Sequence, residues 1–320
     1  MPSDESWPMI EQAVFRLFDE IAGKHTVIGP RLTELGWSDI ESEYPVEACE
    51  LLFQAQGRSL AQTDCLDRVM LAELTGALDD TADAIVLPSA GDGCTPASHG
   101  DQVSGIVLGP LPDRVVVAVT GPSATVSAGV VDAQRLHAQR LDTFDTTVQW
   151  TRVSGPAPTE LVEASQAWPH AVAAAQRALG TELVAISEQI LRLAVEHANT
   201  RIQFGVPIGS FQSLRHALAE ACAAVEGARS LLEHSWRYGG HVSAQAAKAA
   251  AGRAHRAVSG TAMQVFGAIG LTAEHVLHRY VSRGVQVDSL CGSYRQLETG
   301  LAEHLFSTTD QPLPPIVVCG

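Results

Sequence analysis

The chain has 320 residues, of which 46% are hydrophobic and 18% are charged, so it can bury a large core in two or three subdomains. Its formal net charge of −15 argues against nucleic acid or an anionic membrane as a general partner, although a few local arginines could still hold one phosphate-bearing ligand. The N-terminal segment MPSDESWPMIEQ lacks the basic and apolar regions of a signal peptide, and no apolar run reaches the roughly 18 residues of a membrane span. We therefore expect a cytoplasmic protein.

Residues 1–80 are predicted to form a small N-terminal helical domain. Ile10, Val14, Leu17 and Ile21 recur at helical spacing within residues 8–24. Helix-forming residues continue from 45 to 78, and Gly57 is expected to break them.

Residues 81–157 are predicted to form a reduced β domain. They contain the short β-branched runs AIVLP, GIVLG and RVVVAVTG, which are separated by Gly, Pro, Asp and Ser. The sequence LPDR at 111–114 has the Pro-Asp signature of a tight turn before the strand at 115–119. Together with TTVQWTRV at 146–153, these runs predict a mostly antiparallel unit.

Residues 158–320 are predicted to form a helical bundle. The apolar face of its first helix is expected to consist of Leu183, Ile186, Ile190, Leu193 and Val195. A second helix should end at Gly239 and Gly240, which are suited to a C-terminal stop. This helix and those that follow are expected at about 211–236, 242–258, 273–283 and 293–306. The prolines of the tail DQPLPPIVVCG exclude a helix there.

The stretch RIQFGVPIGSFQSLRHALAE at 201–220 must interrupt the bundle, because Pro207 lacks a backbone donor and clashes with a preceding helical turn. A simple connection between two antiparallel helices would explain the break. However, Arg201 ends one helix, Phe204 offers an aromatic face and Gln212 opens the next helix. A guanidinium beside a new helix N-terminus suits a phosphate or pyrophosphate. The pattern alone leaves both interpretations open.

This stretch resembles the signature of the acyl-CoA dehydrogenase family, in which an arginine, Phe-Gly, Pro-Ile and a Phe-Gln pair occur at this spacing. The stretch QVFGAIGLTAEHVLHRYVSR at 264–283 resembles the family's Gln-x-x-Gly-Gly-x-Gly segment, and Ala268 stands at its second adjacent glycine. Weaker similarity in LTELGWSDIESEYPVEACELLFQAQGRSLAQ and RLDTFDTT extends the resemblance over most of the chain. It implies a mainly α fold with a small β domain, comprising an N-terminal helical domain, a middle β domain and a C-terminal four-helix bundle.

The resemblance also implies FAD, which in that family lies across a subunit interface. One subunit supplies the flavin-ring pocket and the catalytic carboxylate, and its neighbour contacts the pyrophosphate and adenosine end. By resemblance, the residues with this second role are Arg201, Gln203, Phe204, Gln212, Gln264, Gly267 and Ala268.

The chain departs from the family where the catalytic base is expected. Cys291, within LCGS, occupies the position of the usual base, and no carboxylate stands near Ala175, the alternative position. The β-domain segment that normally lies along the flavin ring is not recognisable in VLPSAGDGCTPASHGDQ. Removing a proton beside a thioester carbonyl needs a positioned base, and a thiol serves only if its pKa is lowered. We therefore expect no catalytic residue in this chain and interpret Cys291 as a non-catalytic replacement and Glu274 as structural.

The spacing of the residues argues against other kinds of site. The six cysteines include no CxxC pair, so neither a zinc site nor a disulfide framework is predicted. The segment from Gly267 to Gly270 is too short for a dinucleotide-binding fingerprint, and no strand precedes it. The histidines predicted to lie on polar faces or in packing contacts, rather than to bind a metal, are His234, His241, His275 and His278.

The resemblance points to one subunit of a heteromeric acyl-CoA dehydrogenase that donates FAD-binding residues in trans. In an α2β2 heterotetramer with a catalytic partner, it would oxidise the Cα–Cβ bond of a bulky, steroid-derived acyl-CoA and pass electrons to an electron-transfer flavoprotein. One alternative is a catalytically complete homo-oligomer with an unrecognised base, against which the missing carboxylate argues. Another is a non-enzymatic interaction protein, against which Arg201, Phe204 and Gln264 argue.

Overall fold

The N-terminal part of the chain is helical in the computed structural model, which describes residues 6–78, 82–89, 91–143, 145, 147–272 and 275–307. Its helices are α1 (Trp7–Ile21), α2 (Gly29–Glu34), α3 (Trp37–Glu43), α4 (Pro45–Ser59) and α5 (Cys65–Leu74). Two short parallel strands, β1 (His25–Thr26) and β2 (Gln62–Thr63), pair within this part. The helix predicted within residues 8–24 is confirmed, and α1 buries Val14, Leu17 and Ile21.

The middle of the chain forms two small sheets. The strands are β3 (Ala84–Ile85), β4 (Leu87–Pro88), β5 (Ser98–His99), β6 (Gln102–Val107), β7 (Arg114–Thr120), β8 (Val126–Asp132), β9 (His137–Arg140), β10 (Thr151–Pro156) and β11 (Val162–Glu163). One sheet has the order β4-β6-β10-β9, with β5 also on β6, and the other has the order β11-β8-β7-β3. These pairs are antiparallel except β3 with β7, as the mostly antiparallel prediction requires.

The C-terminal part is a bundle of long helices. They are α6 (Ala167–Thr200), α7 (Gln212–Tyr238), α8 (His241–Phe266), α9 (Leu277–Ser289) and α10 (Tyr294–Ser307), with a hairpin of β12 (Ile202–Gln203) and β13 (Val206–Pro207) after α6. Helix α6 is central and contacts α4, α5, α7, α8 and α9. The predicted mainly α fold with a small β domain is therefore confirmed. The domain limits after residues 80 and 157 stay predictions.

Two details of the helix prediction are wrong. Gly57 does not break a helix but lies buried inside α4, which ends two residues later. A Cβ atom at Gly57 would lie 2.6 Å from the backbone oxygen of Glu182, so the glycine permits α4 to approach α6 closely. Val195 is 40% exposed, because five residues after the buried Ile190 a helix has turned away from that face, which Ala194 continues instead.

The remaining predicted helices are present, but α8 continues eight residues beyond the predicted end at 258, and α9 spans Leu277–Ser289 rather than 273–283. Helix α7 stops before Gly239, whose φ of 70° is the left-handed conformation that suits glycine at a helix end. The predictions for Glu274 and for the tail from residue 308 onward lie outside the described residues. Within the described ranges, no helix combines the length and apolar character that a membrane crossing needs.

Candidate functional site

The interruption after α6 folds into a tight β-hairpin. Ile202 pairs with Pro207 and Gln203 with Val206, so Phe204 and Gly205 form a two-residue turn. Both have positive φ, 52° and 81°, as a type I′ turn requires. A non-glycine residue in the left-handed region costs about 1–2 kcal/mol. The Phe204 side chain is 92% exposed and meets Phe211 edge-on at 6.2 Å between ring centroids, so little burial offsets this strain.

Arg201 is fixed by its backbone while its side chain lies in solvent. Its N–H donates to the carbonyl of His197 at 2.8 Å, and its own carbonyl accepts from the N–H of Ile208 at 2.8 Å. Among the residues that the structure describes, none accepts a hydrogen bond from its guanidinium. The hairpin therefore presents a positioned guanidinium whose donors are open to an anion.

The other predicted residues lie at the same end of the bundle. Gln212 is the first residue of α7, and the amide of Gln203 donates to the carbonyl of Ile202 at 2.9 Å. Gln264 is exposed near the end of α8, and Gly267, with φ 63°, opens the turn Gly267–Leu271, in which Gly267, Ala268 and Ile269 are exposed. The ring of His197 on α6 stacks on Phe266 of α8 at 4.2 Å between centroids, which holds the two helix ends together. The hairpin and the turn are thus neighbours.

This donor set suits one half of FAD. An exposed guanidinium fits a pyrophosphate, and an exposed phenyl ring together with side-chain amides fits the adenosine portion. A Cβ atom at Gly267 would meet no heavy atom within 4 Å, so the turn is open to close approach. That these seven residues bind FAD stays a prediction, which the geometry supports.

The residue at the expected base position is buried. Cys291 is 3% exposed, with φ 51°, and burial raises the pKa of its thiol to about 12. The thiol is therefore protonated at neutral pH and is a poor base. Its carbonyl accepts hydrogen bonds from Cys94 Sγ at 3.0 Å and from Gln176 Nε2 at 3.2 Å. Arg295, the cation close to Cys291 in sequence, lies at the surface and donates to Tyr294 Oη at 2.9 Å.

A buried lysine fixes the loop that carries Cys291, and the sequence analysis did not identify it. Lys248 on α8 is fully buried, and its Nζ donates to the carbonyl of Asp288 at 2.9 Å and to that of Gly292 at 2.5 Å. Burial lowers the pKa of Lys248 from its ordinary value. Its position among the alanines of α8 could have indicated a structural role, because a lone lysine on an apolar helix face needs buried hydrogen-bond partners.

A buried ion pair was also missed. Glu182 on α6 is 1% exposed, and its Oε1 accepts from Arg283 Nε at 3.0 Å and Nη2 at 2.8 Å. Its Oε2 accepts from Gln56 Nε2 at 2.8 Å, and Gln56 in turn accepts from Thr63 Oγ1. The adjoining cavity has a volume of about 10 Å³, enough for one water molecule but not for an acyl chain. Glu182 is therefore a structural carboxylate here, and its place on the apolar face of α6 was the available signal.

The four histidines singled out from the sequence take packing or hydrogen-bonding positions. Among the residues that the structure describes, no group of three or more His, Cys, Asp or Glu could hold a metal ion. The four histidines singled out from the sequence contact ring or backbone neighbours: His234 with Tyr238, His241 with His170, His275 with Phe266 and His278 with the carbonyl of His275.

The chain is similar in sequence to acyl-CoA dehydrogenases. Residues 172–292 match the model of the acyl-CoA dehydrogenase C-terminal domain. Over 297 residues, the chain is 28% identical to the acyl-CoA dehydrogenase IpdE2 of Mycobacterium tuberculosis strain H37Rv. The alignment covers 93% of this chain and 87% of the relative.

Solved structures share the fold. The ChsE4-ChsE5 complex from Mycobacterium tuberculosis aligns with a TM-score of 0.78 at 18% identity, over 98% of this chain and 99% of that chain. The Tcur3481-Tcur3483 steroid ACAD aligns with a TM-score of 0.68 at 22% identity, over 82% of this chain and 81% of that chain. Residues 172–292 thus match the C-terminal domain of the acyl-CoA dehydrogenases, which are FAD-binding oxidoreductases, and the whole chain has the fold of solved proteins of that family.

Proposed function

We propose that this chain is one subunit of a heteromeric FAD-dependent acyl-CoA dehydrogenase and that it binds the pyrophosphate and adenosine end of FAD in trans. The catalytic carboxylate and the flavin-ring pocket belong to a partner subunit. The observation that carries the proposal is the hairpin, which exposes a strained Phe204 beside an open Arg201 on a chain with a buried thiol at the base position.

The hairpin is suited to a ligand that a second subunit also holds. Phe204 keeps an unfavourable left-handed backbone, and 92% of its side-chain surface is exposed in the isolated chain. A strained residue of this kind persists where the surrounding structure and function require it. Burying an exposed phenyl ring against a ligand or subunit contributes roughly 1.5–3 kcal/mol, enough to offset the strain.

The chain's own residues do not supply the proton abstraction that dehydrogenation needs. In this family, bound FAD accepts the hydride from the Cβ atom of the acyl thioester. Cys291 is protonated and enclosed, and Glu182 is held by Arg283 and Gln56 beside a cavity too small for an acyl chain. The residues at the hairpin therefore bind and orient the cofactor, and the base must come from the partner.

The relatives support a paired enzyme and a bulky substrate. The ChsE4-ChsE5 complex, which shares the fold, is an assembly of two differently named chains. The Tcur3481-Tcur3483 protein, which also shares the fold, is described as a steroid ACAD. We accordingly propose α,β-dehydrogenation of a steroid-derived acyl-CoA in an α2β2 heterotetramer, with an electron-transfer flavoprotein as the acceptor.

Co-expression with a candidate partner tests the assembly. The chain alone is expected to be free of flavin, and the complex to be yellow with one FAD for each unlike pair, measured by flavin absorbance and native mass. A colourless complex would contradict the proposal. A yellow homo-oligomer with one FAD per chain would favour a complete enzyme with its own base.

Arg201→Ala tests the hairpin within the complex. Loss of charge-assisted hydrogen bonds to the pyrophosphate should weaken FAD binding by roughly 1.5–3 kcal/mol per bond, and Arg201→Lys should restore only part because it lacks the planar fork. Arg192→Ala, which removes another exposed arginine from α6, is the matched control and should retain FAD. Equal flavin occupancy after dialysis in the Arg201→Ala and Arg192→Ala complexes would leave Arg201 as a helix-connection residue.

A further inference from the structure

Three aromatic side chains join the helix ends that carry the hairpin and the turn. We call His197, Phe266 and His275 the His–Phe–His stack. The ring of Phe266, at the end of α8, lies 4.2 Å from that of His197 and 4.5 Å from that of His275, measured between centroids. His197 lies in the last turn of α6, four residues before Arg201, and the backbone hydrogen bond between them places both on one side of the helix.

The two histidines of the stack differ in their hydrogen bonds. Nδ1 of His275 accepts a hydrogen bond from the N–H of Leu277 at 3.1 Å, which supports the start of α9. Among the residues that the structure describes, none forms a hydrogen bond with a ring nitrogen of His197. A protonated His197 would also lie flat against Phe266, at 24° between planes, where a cation is stabilised by the ring face. Within the described residues, His197 is therefore the member of the stack whose ring nitrogens are not engaged in a hydrogen bond.

The charges near His197 oppose its protonation while no anion is bound. Burial lowers the pKa of His197 from its ordinary value, and electrostatic interaction with the neighbouring Arg201 and His275 lowers it further. On α6, Glu196 is engaged by Arg192 at 2.6 Å.

The other elements at this end add few charges. Arg215, from α7, donates to the carbonyl of Gly209, and His278 is tied to the carbonyl of His275. The sequence from Gln264 to Leu271 contains no titratable residue, and Glu274 lies outside the described residues.

We propose that His197 takes up a proton when a pyrophosphate binds at Arg201, so that cofactor binding at this end and protonation of the His–Phe–His stack are coupled. The inference rests on the proposed function in taking Arg201 as the phosphate contact. A bound pyrophosphate cancels the field of Arg201 and adds negative charge beside the imidazole.

The sign of the coupling follows from proton linkage. Because the bound state holds more protons than the free state, affinity rises as pH falls through the bound-state pKa of His197 and levels off below the free-state pKa. At alkaline pH both states are neutral at His197, and the dependence disappears.

Imidazole NMR of the full chain tests the coupling, with ADP-ribose as the probe because its pyrophosphate does not titrate between about pH 5 and 8. We expect ADP-ribose to raise the pKa of His197 by about one unit, and to bind up to about tenfold more tightly at acidic than at alkaline pH. His197→Phe keeps an aromatic ring in the stack without a titratable group, and it should bind ADP-ribose with no such pH dependence.

The outcomes separate the two proposals. An unchanged pH dependence in His197→Phe, or hairpin signals that shift with ADP-ribose while the His197 pKa does not, would overturn the coupling and leave Arg201 as a phosphate contact. If ADP-ribose perturbs neither the hairpin nor the stack, or perturbs Arg201→Ala as it does wild type, the assignment of Arg201 itself is wrong and the coupling is overturned with it.

Discussion

Arg283→Met should strongly destabilise the chain, because it leaves the carboxylate of Glu182 without its cation inside the protein. The side chains of Glu182 and Arg283 are only 1% and 7% exposed, and two hydrogen bonds of 2.8 and 3.0 Å join them. In the variant, Glu182 keeps its bond from Gln56 alone. Removing one partner of such a buried pair costs about 3–5 kcal/mol.

The same geometry predicts recovery in a double variant. When Glu182→Met is added to Arg283→Met, no buried charge is left unpaired, and apolar side chains of similar volume can fill the site. Replacing both partners of a buried pair is often close to neutral, so the double variant should recover most of the loss. The matched control is Arg192→Met, which breaks a pair of similar length, 2.6 Å, whose side chains are 52% and 58% exposed. That change should cost no more than about 0.5 kcal/mol.

Urea unfolding followed by circular dichroism would give the free energies of unfolding for the cycle. The reasoning fails if Arg283→Met stays within about 1 kcal/mol of wild type, or if the double variant is less stable than the sum of the single variants predicts.

Three further outcomes are expected. In the assembled complex, Cys291→Ala should leave acyl-CoA-dependent reduction of a ferrocenium acceptor nearly unchanged, and a loss approaching 10²–10⁴-fold with FAD retained would make Cys291 the base. Phe204→Asn should raise the unfolding free energy of the isolated chain by up to about 1 kcal/mol, because asparagine tolerates the left-handed region. The same change should lower the FAD occupancy of the complex. A variant chain less stable than wild type would refute the strain argument. Gly57→Ala should lower the thermal midpoint, since the new Cβ atom would lie 2.6 Å from the backbone oxygen of Glu182, and an unchanged midpoint would mean that α4 and α6 separate at little cost.

The features that sequence predicted well depend on neighbouring residues. The break after Arg201 follows from Gly205 and Pro207, and the end of α7 follows from Gly239, because glycine and proline restrict the backbone locally whatever packs around them. The positions of Phe204 within the break and of Gln212 at the start of the next helix could be predicted in the same way.

The missed features depend on partners that are distant in the chain. Glu182 meets Arg283 across 101 residues, and Gly57 is required by the backbone of Glu182 rather than by a turn. A periodic pattern shows that a charged residue falls on an apolar face, but it does not show which residue neutralises it. For the same reason Lys248 could not be joined to the loop at Gly292, and the assignment of seven residues to FAD stays a prediction from resemblance.

Lys248, which holds the loop that carries Cys291, limits how this chain could acquire a catalytic base. A carboxylate placed at residue 291 would enter a space where the ammonium of Lys248 lies close enough to oppose, in part, the rise in thiol pKa that burial causes. The two charges would form an enclosed ion pair, which would favour the ionised carboxylate and make it a weak proton acceptor. Cys291→Glu alone would therefore give a salt bridge rather than a catalyst. A functional base here would require Lys248 to be replaced by a neutral side chain and the carbonyls of Asp288 and Gly292 to find other donors.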